Sequence, residues 1–149
     1  MKWETAREIF GVVVVVASLV FVGIEIRQNT SAARGQTRQE LAALNQEWLI
    51  LLSADAEFSE LFSRAWMRGE EIAPEEEARA EMMMVLNFRR LENVFFQYQE
   101  GLVDESALGS YGLQVKSELI ELPRFRAWWS RWRNSLHPDF VEFIESQSD

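Results

Sequence analysis

The sequence predicts an all-α protein, with one N-terminal transmembrane helix followed by a compact bundle of about five to six helices. The run IFGVVVVVASLVFVGI at 9–24 contains no charged residue, and no other part of the chain resembles it. Beyond it, apolar residues recur every three or four positions, and no stretch alternates with the period of a strand. We therefore divide the chain into a membrane anchor at 1–30, with its span at about 9–26, and a soluble helical bundle at 31–149.

The apolar run is slightly short for a membrane span. Its sixteen residues form about 24 Å of helix, against a hydrocarbon layer of about 30 Å. Including Ile26, with Glu25 and Arg27 reaching toward the headgroups, closes most of the gap. The span includes Val12, Val13, Val16, Val20 and Ile24.

Two other interpretations of this run remain open. A cleaved signal peptide needs small residues directly after the apolar region, but Glu25, Ile26 and Arg27 follow it here. A buried helix of a soluble oligomer is also compatible with a short apolar run. We favour the membrane span, because the run is N-terminal and the charged residues that follow do not form a cleavage site.

The net charge of −9 arises almost entirely after residue 34. A domain this acidic is repelled by phosphate backbones, so we expect no nucleic-acid partner. Arg27, Arg34 and Arg38 follow the span, which favours a bundle on the cytoplasmic side of the membrane. The absence of cysteine excludes disulfides, thiolate metal sites and cysteine nucleophiles.

The bundle begins with an amphipathic helix at 31–52. It continues from the span unless Thr30 or Ser31 caps it. We expect Leu41, Leu44, Trp48, Leu51 and Leu52 to form its buried stripe. A shorter helix at 55–67 ends near Gly69.

Proline and glycine mark the boundaries of the later helices. Pro74 begins a central helix that Gly101 ends, and three glutamates in its first turn favour the positive end of the helix dipole. Asp104 caps a further helix that Pro123 ends, with Leu108, Tyr111, Val115, Leu119 and Leu122 as its apolar residues. Helices at 125–136 and from Pro138 complete the bundle.

No catalytic, cofactor-binding or metal-binding residues are expected. The glutamates at 75–77 are explained by a solvated first turn, and no Glu-x-x-His pattern completes a di-iron site. His137, the only histidine, lies at a helix boundary beside Pro138 and has no nucleophile motif. We therefore predict a protein that is not an enzyme and carries no cofactor.

A polar cluster interrupts the most apolar helix. Arg90, Asn93 and Gln97 share one face, and Arg89 and Glu92 share another. We favour a buried network that fixes the register of the bundle. A functional polar pocket or partner contact is the alternative.

The segment RFRAWWSRWR at 124–133 is a basic patch in an otherwise acidic domain. Tryptophan and arginine are enriched at binding hot spots and also suit a membrane interface. We favour an ordinary core stripe of Phe125 and the tryptophans with outward arginines, and a partner or headgroup contact is the alternative. The candidate partner-binding residues are Arg124, Arg126, Trp128, Trp129, Arg131, Trp132 and Arg133.

Several motifs resemble those of one protein family. They are IRQNT at 26–30, ENVFFQY at 92–98 with GLVDE at 101–105, and RAWW at 126–129. In this order they are similar to a functionally uncharacterised family of short bacterial proteins, mainly proteobacterial. The chain departs from the family where Leu108, Gly109 and Tyr111 replace a tryptophan-containing helix. The resemblance implies an N-terminal hydrophobic segment and a helical domain, and implies no activity.

The sequence predicts a non-enzymatic single-pass membrane protein that contacts the lipid bilayer through its N-terminal helix. We expect an accessory or assembly subunit of a larger integral-membrane complex, with a membrane protein complex or a homo-oligomer as its partner. The alternative is a tethered module that binds a lipid or small apolar ligand in a pocket of Met82, Met83, Met84 and Phe88. An enzyme that uses the face of Arg90, Asn93 and Gln97 is the least favoured possibility.

Overall fold

The computed structural model describes residues 2–112 and 120–146, and within these ranges the protein is helical and has no strand. The predicted all-α class is therefore confirmed. The chain divides by its internal contacts into two units, Met1–Gln36 and Thr37–Asp149.

The first unit belongs to helix α1, which extends over Lys2–Ala54 without a break. Its most apolar 18-residue window has a mean hydropathy of 2.7, and none of that window is buried. The helix is thus long and apolar enough to cross a membrane.

Hydroxyl groups in the first unit bond to the helix that carries them. The Ser18 hydroxyl donates to the Val14 carbonyl at 2.8 Å, and the Thr30 hydroxyl donates to the Ile26 carbonyl at 2.9 Å. Thr30 is therefore an interior helix residue, and the conditional cap at Thr30 or Ser31 does not form. The anchor boundary predicted at residue 30 falls within α1.

Helix α2, at Ala56–Phe62, follows α1 after a single residue. The Asp55 carboxylate caps it by accepting a hydrogen bond from the Phe58 N–H at 2.9 Å. A π-helical turn at Ser63–Met67 extends it, and Gly69 follows at a φ of +64°. A Cβ at Gly69 would lie 2.7 Å from Cδ2 of Leu122, so both the backbone and the available space favour glycine.

Helix α3, at Pro74–Gln99, confirms the predicted central helix. The Glu76 carboxylate reaches back to accept a hydrogen bond from the Ala73 N–H at 3.0 Å. Gly101, at a φ of +68°, ends the helix, as predicted.

The helix predicted from Asp104 to Pro123 is wrong as a single element. Helix α4 covers only Glu105–Leu108, a 3-10 turn follows at Gly109–Tyr111, and Gly112 has a φ of +77°. A residue in the left-handed region interrupts the helical path, and glycine adopts this conformation readily. The predicted apolar positions Val115 and Leu119 lie outside the described residues.

Residues 120 and 121 are helical, and two further helices follow. Helix α5 covers Pro123–Trp132 and continues as a 3-10 turn at Arg133–Ser135. Helix α6 covers Pro138–Ser146. Pro138 begins α6 as predicted, whereas Pro123, which was predicted to end the preceding helix, is the first residue of α5.

The core of the second unit is built around α3. Phe88, Met84, Trp66, Trp128 and Phe140 are its largest fully buried side chains, together with Leu91 and Val94. The Phe88 ring lies 4.9 Å from that of Trp128 and 6.3 Å from that of Phe140, measured between centroids. The Trp66 indole N–H donates to the Ala80 carbonyl at 3.0 Å. These contacts join α2, α3, α5 and α6 through their apolar faces.

Candidate functional site

The aromatic residues of the tryptophan–arginine segment at 124–133 lie largely in the core. Phe125 and Trp128 are buried, with 3% and 1% of their surface exposed. The buried Trp128 indole N–H has no hydrogen-bond partner among the described residues. Trp129 and Trp132 are half-buried and pack against the core.

The arginines of this segment pair with glutamates elsewhere in the second unit. Arg124 contacts Glu77 at 2.5 Å, and Arg131 contacts Glu81. Arg133 contacts Glu145 at 2.6 Å.

Other polar groups of the segment bond in the same way. The Trp129 indole donates to Glu145 at 3.1 Å, the Trp132 indole donates to Glu81 at 3.4 Å, and Arg126 donates to the Ile120 carbonyl at 3.4 Å. The basic patch is thus neutralised largely within the unit. Its role in partner binding stays a prediction.

The polar residues of α3 form two clusters rather than one network. In the first, the Glu92 carboxylate is buried, contacts Arg89 at 2.7 Å and accepts a hydrogen bond from the His137 backbone N–H at 2.7 Å. Arg89 also donates to the Ser135 carbonyl at 2.7 Å. This cluster fastens α3 to the turn before α6.

His137 lies at the start of α6, at the helix boundary that the sequence predicts. Its Nδ1 accepts a hydrogen bond from the Asp139 N–H at 3.3 Å. Among the described residues, no three histidine, aspartate or glutamate side chains are grouped so that they could hold a metal ion.

Arg90 is the centre of the second cluster. Its guanidinium donates to the Asn45 side-chain oxygen at 2.9 Å and the Tyr111 carbonyl at 2.9 Å, and to the Asn87 side-chain oxygen at 3.0 Å. It also lies over the Trp48 ring, 5.8 Å from the centroid. Its Nε is buried and has no hydrogen-bond partner among the described residues.

Arg90 forms no ion pair with a carboxylate in the part of the chain that the structure describes. Burial lowers the pKa of the Arg90 guanidinium, since the charged form loses hydration. Its hydrogen-bond partners among the described residues are neutral oxygens, and its other contact is an aromatic ring.

The polar side chains of Asn93 and Gln97 lie close to each other on α3. The Gln97 amide and the Asn93 side-chain oxygen are 3.5 Å apart. Asn93 also reaches the groove described next, whereas Gln97 is not among the residues that line it. Of the three residues predicted to share one face of α3, Arg90 and Asn93 therefore line the groove and Gln97 does not.

An apolar groove lies between the 37–54 part of α1 and helix α3. Its volume is about 280 Å³. It is lined by Leu44, Glu47, Trp48, Leu51, Leu86, Arg89, Arg90 and Asn93. Most of its surface is hydrocarbon, and the charged groups are carried by three of its eight residues. We call this site the α1–α3 groove.

The leucines of the α1–α3 groove are more exposed than the sequence predicts. Leu44 is 40% exposed, Leu51 is 36% exposed and Leu86 is 49% exposed. The predicted buried stripe is correct for Leu41, Trp48 and Leu52 but wrong for Leu44 and Leu51. Leu44 and Leu51 are offset along α1 from the residues that face the core. Their side chains therefore lie at the edge of the core and not within it.

The floor of the groove is held by aromatic packing. The Trp48 ring makes edge contacts with Phe58 and Phe62, with centroid separations of 5.8 and 5.4 Å. Trp48 is therefore fixed from below by α2 and from the side by Arg90. The groove is a pre-formed surface of the second unit.

The pocket predicted for Met82, Met83, Met84 and Phe88 is not formed as a single wall. Met83, Met84 and Phe88 are buried in the core, whereas Met82 is 48% exposed. Successive helical residues point in directions about 100° apart, so four such neighbours cannot share one cavity. Their apolar character reflects core packing on one side of α3.

No protein-family model, curated protein or solved structure matches this chain. The resemblance to short bacterial proteins stays a prediction from the motifs.

Proposed function

We propose that this protein is a non-enzymatic, single-pass membrane protein whose helical unit binds another protein. It acts as an accessory or assembly subunit of a larger integral-membrane complex. The α1–α3 groove carries the proposal, because it presents exposed leucines and the Arg90 guanidinium on a rigid floor. Surface patches with this composition are typical of protein-binding sites.

The N-terminal anchor supports a membrane location for the protein. All described side chains between Arg7 and Gln36 are exposed, and they include the whole apolar run. Water solvates such a surface poorly, whereas a hydrocarbon layer accommodates it. The resemblance to short bacterial proteins implies the bacterial inner (cytoplasmic) membrane, and the arginines after the run favour the helical unit in the cytoplasm.

The groove has the form that receives a helix. Leu44 and Leu51 are seven residues apart on α1, and Leu86 faces the same groove from α3. A helix with apolar residues at matching intervals would lie between these two walls, as amphipathic helices do in other apolar grooves. Burying the apolar surface of the groove against such a helix would stabilise the complex by about 25 cal/mol for each Å² removed from water.

The other charged clusters serve the fold, which supports a binding role over an enzymatic one. Arg64 pairs with Glu76 at 2.5 Å, Arg124 with Glu77 and Arg89 with Glu92. Each pair joins separate turns or elements of the second unit. Pairs of this kind fix the register of helices and leave no obvious acid or base aimed at a substrate.

The proposal is tested by purifying a C-terminally tagged chain from its native membrane in a mild detergent. We expect a particle much larger than the 17.4 kDa chain, with a second membrane protein in fixed stoichiometry. Leu86→Glu should remove that protein. Met67→Glu is the matched control, because Met67 is an exposed apolar residue outside the groove. The proposal would be refuted if the wild-type chain were recovered without another protein. It would also be refuted if Leu86→Glu and Met67→Glu recovered equal amounts of the second membrane protein.

A second candidate function is a tethered module that binds a lipid or a small apolar ligand. The observation that favours it is the combination of an apolar wall and Arg90 in one groove, which suits a hydrocarbon chain with an anionic head. The volume of about 280 Å³ lies at the lower limit of small-molecule sites. Mass spectrometry of the purified chain should then detect a bound lipid that Leu86→Glu removes. A ligand-free wild-type chain would exclude this function.

A further inference from the structure

We propose that the occupant of the α1–α3 groove is the 44–51 segment of a second copy of this chain. The protein would then be a homodimer in which Glu47 of each copy pairs with Arg90 of the other. The inference goes beyond the proposed function, since it assigns the groove to a second copy of this chain instead of another membrane protein.

The chain itself contains a helix with the spacing that the groove requires. Leu44, Glu47 and Leu51 stand at positions i, i+3 and i+7 of α1 and therefore share one face. Helices that bind apolar grooves use this spacing for their anchoring residues. The face is solvent-accessible, because both leucines are partly exposed and Glu47 is exposed.

The charges of this face and of the groove are complementary. Glu47 forms no ion pair with the described residues, and Arg90 has no carboxylate partner among them. The two residues line the same groove but do not bond to each other. A second copy supplies each with the partner that it lacks.

Glu47 and the Arg90 guanidinium also lie at the same height along the axis of α1. Arg90 bonds to Asn45 and lies over Trp48, so its guanidinium is level with residues 45–48. A two-fold pairing of segments that run in the same direction brings equal levels opposite each other. Glu47 of the second copy therefore comes opposite Arg90, and the two-fold relation produces this contact twice.

A modest interface is sufficient for a pair of anchored chains. Two copies in one membrane are already concentrated and oriented, so each contact forms at a high effective concentration. Two chains inserted in one membrane with the same orientation can be related by a two-fold axis along the membrane normal. Leu44 and Leu51 of one copy then meet Leu86 of the other.

The test uses the full chain in mild detergent, with its mass measured by light scattering during size-exclusion chromatography. We expect a dimer, and we expect Glu47→Arg to raise its dissociation constant at least tenfold. Glu142→Arg is the matched control, because Glu142 is exposed, lies on α6 and has no ion pair in the described part of the chain. Near-ultraviolet circular dichroism of each variant shows whether the helical unit is intact.

A second variant guards against the possibility that charge reversal disturbs the fold. Glu47→Gln keeps the size of an exposed side chain, and we expect it to weaken the dimer and to remove part of the salt dependence of dimerisation. Because the chain has no cysteine, Leu51→Cys can also be cross-linked with a bis-maleimide in native membranes. It should give a band of twice the single-chain mass, and Met67→Cys should not.

The outcomes separate this inference from the proposed function. A single copy bound to another membrane protein would overturn the homodimer and leave the proposed function standing. A dimer without any other protein would support the inference and refute the accessory role. A dimer that Glu47→Arg and Glu47→Gln leave unchanged would overturn the Glu47–Arg90 contact and the assignment of the groove.

Discussion

Replacing the buried carboxylate of Glu92 tests the polar cluster that fastens α3 to α6. Glu92 is 8% exposed, and its carboxylate contacts Arg89 and the backbone N–H of His137, each at 2.7 Å. Glu92→Ala removes both contacts and leaves the His137 N–H without its acceptor. Glu92→Gln removes the negative charge but keeps an oxygen that can accept from that N–H.

The two substitutions should differ in magnitude. A hydrogen bond to a charged group contributes about 1.5–3 kcal/mol, and an exposed ion pair about 0.2–1 kcal/mol. The Arg89 side chain is 48% exposed, so the lower range applies to its pair with Glu92. We therefore expect Glu92→Ala to lower the free energy of unfolding by about 2–4 kcal/mol and Glu92→Gln by about 1 kcal/mol.

The assay is urea unfolding of the full chain in mild detergent, followed by tryptophan fluorescence. Trp128, Trp129 and Trp132 lie in α5, within the unit that Glu92 helps to hold together, so their emission reports its unfolding. Equal losses for Glu92→Ala and Glu92→Gln would refute the reasoning, because they would show that the charge alone matters. A loss below about 0.5 kcal/mol for Glu92→Ala would show that the His137 N–H finds another acceptor.

Three further predictions concern packing, backbone conformation and pH. Phe88→Ala should lower the free energy of unfolding by about 3–5 kcal/mol, because a fully buried ring is removed; a loss of under about 1 kcal/mol in urea unfolding would contradict its central position. Gly69→Ala and Gly101→Ala should each cost about 1–2 kcal/mol, since both residues have positive φ. Gly69→Ala should cost more, because only its Cβ meets a side chain, and equal urea midpoints would disprove this difference. Hydrogen bonding to Arg64 lowers the pKa of Glu76, so this contact stabilises the fold above the ordinary carboxyl pKa, and the contribution is lost as pH falls through the lowered pKa. Thermal unfolding of Glu76→Gln should therefore depend less on pH below about 4 than that of the wild type, and identical profiles would exclude this role.

Local signals were sufficient to predict several helices. Pro74 and Gly101 lie at the ends of α3, and Pro138 begins α6, as the sequence indicates. Pro123 marks a helix boundary as predicted, but it begins α5. Proline restricts its own φ and glycine permits positive φ, so these residues act on the backbone whatever surrounds them. The same local logic was incomplete at Gly112, where apolar spacing predicted a continuous helix and the left-handed conformation interrupts it.

The candidate sites were harder to predict, because side-chain partners come from distant parts of the sequence. The arginines of the 124–133 segment suggested a basic binding surface, yet Arg124 and Arg131 lie beside Glu77 and Glu81 of α3. These pairs are separated by about fifty residues in the chain. No periodicity within α5 reveals them.

The sequence by itself determined the helical class and an N-terminal segment apolar enough to cross a membrane. Both follow from composition and spacing, which act over a few turns of one helix. Only the tertiary structure decided that Leu44, Leu51 and Leu86 remain exposed and that Arg90 lines the same groove with no ion pair to a described carboxylate. The groove is lined by side chains from both α1 and α3, and the distance between two helices is set by every side chain between them.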